Sequence, residues 1–117
     1  MAVDFKRSER VSDSIHREIS SMLIKGEIKD PRVGPVFITA VKVSDNLSMA
    51  DVYFTISNNQ GDKSEALKGL ESAKGFIKGR IAKRLRIRKL PDLKFEFDTT
   101  LDNAYRLDEV LKGLNSE

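Results

Sequence analysis

Between Lys74 and Lys89 the sequence carries eight basic side chains and no carboxylate: Lys74, Lys78, Arg80, Lys83, Arg84, Arg86, Arg88 and Lys89. Fixed cations at this density suit one kind of chemistry, the neutralisation of phosphates, in which released counterions make binding fall steeply with salt. The formal net charge of +3 hides the concentration. The chain has 21 basic and 18 acidic residues, so outside this segment 13 basic residues face all 18 acids. One positive segment on a mildly acidic body is a footprint for a polyanion rather than a uniform coat. An exposed helix also carries lysines and arginines for solubility alone, but such a face usually mixes signs for i,i+4 pairing. A protein-interaction adaptor that uses the basic helix to meet an acidic partner is the alternative reading. A membrane surface fits less well, because Phe76 is the only bulky aromatic anchor and the apolar side of the segment is needed for a core.

Other residue types offer little for catalysis. His16 is the only histidine and there is no cysteine, so thiolate chemistry, disulfides and thiolate metal sites are excluded. His16 beside an apolar helical stripe reads as a partly exposed surface histidine rather than a metal ligand. Glu96 and Asp98 alternate on one predicted strand face and would form an acid–base pair only if that face were more than a wet surface. Gly61-Asp62-Lys63-Ser64 lacks the first glycine of a phosphate-binding loop and has Asp62 between its glycine and lysine. Gly75 and Gly79 do not lie in an apolar span, so a membrane-helix dimer motif is excluded. Tyr53 is a candidate for stacking on a base, while Phe54, Phe95 and Phe97 fall at core spacing. No catalytic constellation, cofactor or metal is expected.

The elements that position these residues follow from periodicity. A first helix is expected from an N-cap near Ser8, with an apolar stripe of Val11, Ile15, Ile19, Met22 and Leu23, to a left-handed cap at Gly26. Asp30 to Pro35 is a loop broken by two prolines. Val36–Val43 and Met49–Ile56 read as strands joined by the turn Asp45 to Ser48, an antiparallel hairpin. After the polar loop from Ser57 to Asp62, Ser64 is the expected N-cap of a helix carrying Ala66, Leu67, Leu70 and Ala73. Gly75 interrupts the pattern, and a further helix is expected from about Phe76 to Arg86. Its Ile77, Ile81 and Leu85 face the core, Lys83 and Arg86 point away, and Lys78, Arg80 and Arg84 flank the two sides. Leu93, Phe95 and Phe97 alternate with polar residues in a third strand. A last helix carries Ala104, Leu107, Val110, Leu111 and Leu114.

The order αββααβα, with three strands and helices for one face only, implies an α+β two-layer sandwich. Residues 1–117 are the size of one domain. No secretory leader is expected from Met1 to Lys6, and no run approaches the roughly 20 apolar residues that span a membrane.

Five pieces occur in order along nearly the whole length of the chain: Arg10-Val11, Asp30-Pro31-Arg32-Val33, the hairpin from Val41 to Ala50, Ala73-Lys74-Gly75 between the central helices, and Pro91-Asp92-Leu93-Lys94-Phe95 followed by Asp98. In these pieces, and above all in Ala73-Lys74-Gly75, the chain is similar to the bacterial ribosome-binding factor A family. The resemblance implies a type II KH-like domain in which Ala-x-Gly, here Ala73, Lys74 and Gly75, replaces the usual Gly-x-x-Gly and forms an interhelical kink. It further implies late maturation of the small (30S) ribosomal subunit, contact with 16S ribosomal RNA, a part in rRNA processing and in growth in the cold, and no catalysis. A cytoplasmic monomer is expected. Ala104 stands where the family often has glycine, and the longer C-terminal tail of some members is not expected here, so no role of that tail is carried over.

Overall fold

The computed structural model describes residues 2–57, 62–87 and 89–99, with side chains described from residue 7 onward. Helix α1 (Ala2–Ile24) is followed by a 3-10 turn (Pro31–Val33), strands β1 (Val36–Val43) and β2 (Met49–Ile56), helices α2 (Lys63–Ser72) and α3 (Lys74–Leu85), and strand β3 (Asp92–Phe97). The expected last helix, with Ala104, Leu107, Val110, Leu111 and Leu114, lies outside the described residues, as does Arg88.

The sheet order is β1-β2-β3, with β1 antiparallel and β3 parallel to the central β2. The parallel pairing requires a crossover, which α2 and α3 provide. One face of the sheet buries Ile38, Val52, Phe54, Leu93 and Phe95 against Ile15, Ile19 and Met22 of α1, Ala66 and Leu70 of α2, and Ile77 and Ile81 of α3. This is the α+β two-layer arrangement that the element order implied. On the opposite face Phe37 and Met49 are exposed and no helix covers them among the described residues.

Several local details differ from expectation. Helix α1 begins at Ala2, and Ser8, the expected N-cap, is buried inside it. Its carboxyl end is as anticipated: Gly26 has φ 67°, its N–H donates to Leu23 O, and the Glu27 N–H donates to Met22 O. This is the paired-bond cap that a left-handed glycine allows. The N-cap of α2 is Asp62 rather than Ser64. Its carboxylate accepts from the Ser64 hydroxyl at 2.7 Å and from the Ser64 N–H at 2.8 Å, and these bonds, the hydroxyl's first, hold the Asp62 carboxyl below its usual range. Strand β3 ends at Phe97, so Asp98 is not on a strand face with Glu96.

Strand β1 contains a bulge that its sequence does not announce. Ile38 pairs with Phe54 and Ala40 with Tyr53, leaving Thr39 as the extra residue. A bulge shifts the two-residue alternation by one. Val36 and Ile38 point into the core before it, and Val41 and Val43 pack against the core after it. The outer side of β1 is met by α1: the Val43 N–H donates to Ser12 Oγ at 3.0 Å, and His16 Nε2 lies 3.2 Å from Ile38 O. A carbonyl only accepts, so Nε2 carries the proton. Ser12 and His16 are one helical turn apart, and together they occupy backbone groups of a strand edge that would otherwise invite another strand.

Candidate nucleic-acid interface

Helices α2 and α3 are separated by a single residue. Ala73 has φ −89° and ψ 0°, accepts from the Ile77 N–H at 2.9 Å and donates to Gly69 O at 3.0 Å. The interruption expected at Gly75 therefore occurs at Ala73, and α3 starts at Lys74 rather than Phe76. Gly75 sits in the first turn of α3, and a Cβ built there would meet nothing within 4 Å. The backbone at Gly75 is thus open to close approach. Helix starts carry N–H groups with no intrahelical partner, which suit an anion.

Along α3, Ile77 and Ile81 are fully buried and Leu85 packs partly buried against the core, as their spacing required. The basic residues divide into two sets. Four have carboxylates brought to them by the fold. Lys74 Nζ lies 3.1 Å from Glu71 of α2, and Lys78 Nζ lies 3.2 Å from Asp92 at the start of β3. Arg80 Nη1 is 3.0 Å from Glu27. Arg84 reaches Glu18 of α1 at 3.5 Å and Glu27 at 3.9 Å. The hydrogen bond and charge from Lys78 hold the Asp92 carboxyl below its ordinary value. Lys83, Arg86 and Lys89 are exposed and have no acidic partner among the described residues. The absence of acids within the basic segment therefore overstated its free charge, because Glu18, Glu27, Glu71 and Asp92 lie outside it in sequence.

Aromatic groups near the segment are partly engaged. Phe76 is 45% exposed beside the kink, with the Arg80 guanidinium 5.2 Å from its ring centroid. Tyr53 is half-buried on the sheet face away from the helices, with Lys42 Nζ 5.8 Å from its ring centroid. Burial first, then the charges of Glu96 and Asp51 and a hydrogen bond to Glu96, push the Tyr53 hydroxyl above its usual range. The carboxylates around it make that face a poor approach for a nucleic-acid backbone. His16 is held by β1, and Asp98 accepts from Thr39, so the histidine and the acids do not converge. No described helix is long and apolar enough to cross a membrane, and no cluster of three or more metal-ligating side chains occurs among the described residues.

The comparisons agree with one another. A sequence model described as ribosome-binding factor A matches residues 7–111. Ribosome-binding factor A of Geotalea uraniireducens (strain Rf4) is 46% identical over 112 residues, covering 96% of this chain and 91% of that protein. The Geobacter sulfurreducens protein of the same description is 38% identical over 113 residues, covering 97% and 95%. Among solved structures, the crystal structure of ribosome-binding factor A from Thermus thermophilus is similar with a TM-score of 0.65 and 25% identity, over 76% of this chain and 93% of that one. A Thermus thermophilus homology model fitted into a cryo-electron-microscopy map of a complex of that factor with the 30S subunit gives a TM-score of 0.60 and 26% identity, over 73% and 88%.

Proposed function

This chain belongs to the ribosome-binding factor A family, and from that premise we propose that it acts in late maturation of the 30S subunit, binding 16S rRNA on free or immature subunits. The role is non-catalytic, cytoplasmic and carried out by a monomer, and it extends to rRNA processing and growth in the cold. The observation that carries the reading is the likeness, in sequence and fold, to the Thermus factor fitted into the map of its 30S complex. The charge distribution supports it. Lys83, Arg86 and Lys89, with Arg88 in the same run, are the direct phosphate contacts in this reading. Lys74, Lys78, Arg80 and Arg84 share their charge with intramolecular acids and hold α3 in place while adding to the positive field.

The test is sedimentation of the chain with purified 30S subunits, alongside its binding to protein-free 16S rRNA over a salt series. Co-sedimentation together with salt-sensitive RNA binding is the expected result. Binding to subunits with none to RNA would favour the adaptor reading, and no binding to either would end the proposal.

A further inference from the structure

Leu47 and Arg86 are the two non-glycine residues with left-handed backbones among those described, at φ 60° and φ 54°. They lie far apart in sequence, yet both line one cleft of about 560 Å³. The cleft is walled by the amino-terminal part of α1, the β1–β2 turn and the segment that follows α3. Its charged lining residues are Arg7, Arg86 and Lys89, all exposed, all cationic and none with a carboxylate partner among the described residues. Asn46 adds a neutral donor. Its Oδ1 accepts from the Ser48 N–H at 3.1 Å and from the Ser44 and Ser48 hydroxyls, which fixes the amide orientation and leaves Nδ2 without a partner among the described residues.

This arrangement is costly without a ligand. Three like charges share a concave surface, where their repulsion is poorly offset. Arg86 also occupies the left-handed end of α3, a position where glycine is the unstrained choice. Helix-dipole stabilisation does not explain the cluster. The last turn of α3 already holds Lys83 and Arg84, and Arg7 comes from a different helix. Strain kept at an exposed cation, in a cleft lined by further cations, points to a bound anion.

We infer that this cleft is a binding site for the sugar-phosphate backbone of RNA, with Arg7, Arg86 and Lys89 on phosphodiester oxygens and the Asn46 amide donating to phosphate or ribose. The inference rests on the RNA-binding reading above and deepens it. It recruits Arg7 and Asn46, which lie outside the basic segment, and it places the grip at the carboxyl end of α3. That end is a 12-residue helix away from the Ala73 kink, about 18 Å along its axis.

The experiment is filter binding of protein-free 16S rRNA across a salt series, with thermal melts of each variant. The double variant Arg7→Ala/Lys89→Ala is compared with Arg17→Ala/Lys68→Ala, which removes equal charge from exposed positions elsewhere. The cleft variant is expected to bind at least tenfold more weakly near 0.1 M salt, with the log–log salt slope flatter by about 1.5, and the control to stay within about twofold of wild type. Arg86→Gly removes a cation and relieves the left-handed strain, so it should melt higher and bind more weakly. That opposition separates lost contact from lost folding if the double variant melts low. Cleft variants that bind like the control would overturn the site while leaving RNA binding intact. A wild-type chain that binds no 16S rRNA would overturn the site and the reading beneath it together.

Discussion

Thr39 Oγ1 donates a hydrogen bond to Asp98 Oδ2 at 2.5 Å, joining the bulge of β1 to the residue that follows β3. The two strands lie on opposite sides of β2, and the Asp98 N–H donates to Phe54 O at 2.7 Å, so Asp98 closes that end of the sheet. Bonds to an ionised acceptor are the stronger kind. Thr39→Val and Asp98→Ala should each lower stability in urea by about 1–2 kcal/mol, since either removes the Thr39–Asp98 bond while the main-chain Asp98 N–H bond to Phe54 O survives. The double variant should fall short of the sum by at least about 0.5 kcal/mol. Strict additivity would show that the pair is not coupled.

Two glycines near the kink should respond to alanine in opposite directions. At Gly75 the added methyl meets open space on a helical backbone, so Gly75→Ala should raise stability by up to about 1 kcal/mol. At Gly69 the Cβ would lie 3.0 Å from both Arg32 Cβ and Val33 Cγ1, where the 3-10 turn packs on α2. Overpacking of this kind costs about 1–3 kcal/mol and should outweigh the helical gain, so Gly69→Ala should melt lower. A higher melting temperature for Gly69→Ala would mean that the turn yields freely.

Charge reversal on α3 should separate holding from gripping. Arg84→Glu would set a third carboxylate beside Glu18 and Glu27 and should destabilise the fold by about 1–2 kcal/mol. Lys83→Glu, exposed and without an acidic partner among the described residues, should leave the melting temperature within about 2 °C of wild type while weakening RNA binding. Equal melting temperatures for the two variants would contradict this division of the basic residues.

Acid should expose the turn before β1. The Arg32 side chain, then the Arg32 backbone N–H, hydrogen-bond the Asp30 carboxylate and hold its pKa at about 2, below the ordinary 3.8. A depressed carboxyl pKa contributes stability that is fully present above the unfolded value and is lost as pH falls through the folded one. Stability should therefore drop between about pH 4 and pH 2, with Asp62 and Asp92 adding to the slope in the same direction. Asp30→Asn should be less stable than wild type at pH 7 and show a shallower fall below pH 4. An unchanged acid slope in urea melts would show that the turn contributes nothing.

Features that depend on neighbours in the chain were legible in the sequence. The boundaries of β1 and β2, the left-handed Gly26, the core stripe of Ile77, Ile81 and Leu85, and the element order through β3 all follow from hydrophobic period and local backbone preference, which act over a few residues. Cap positions were less legible, because Asp62 and Ser64 are both good caps and only the direction of the incoming chain selects between them. The basic segment was visible as a count of charges. What only the tertiary structure decided was which of those charges remain free. Glu18 of α1, Glu27 just after it and Asp92 at the start of β3 reach α3 through the packing of the chain, and Arg7 meets Arg86 and Lys89 because α1 and the end of α3 wall one cleft. The Thr39 bulge belongs with these, since it is set by register against β2 and by Asp98 from beyond β3. Ion pairing and register act through distance in space, and a linear sequence records order along the chain without recording that distance.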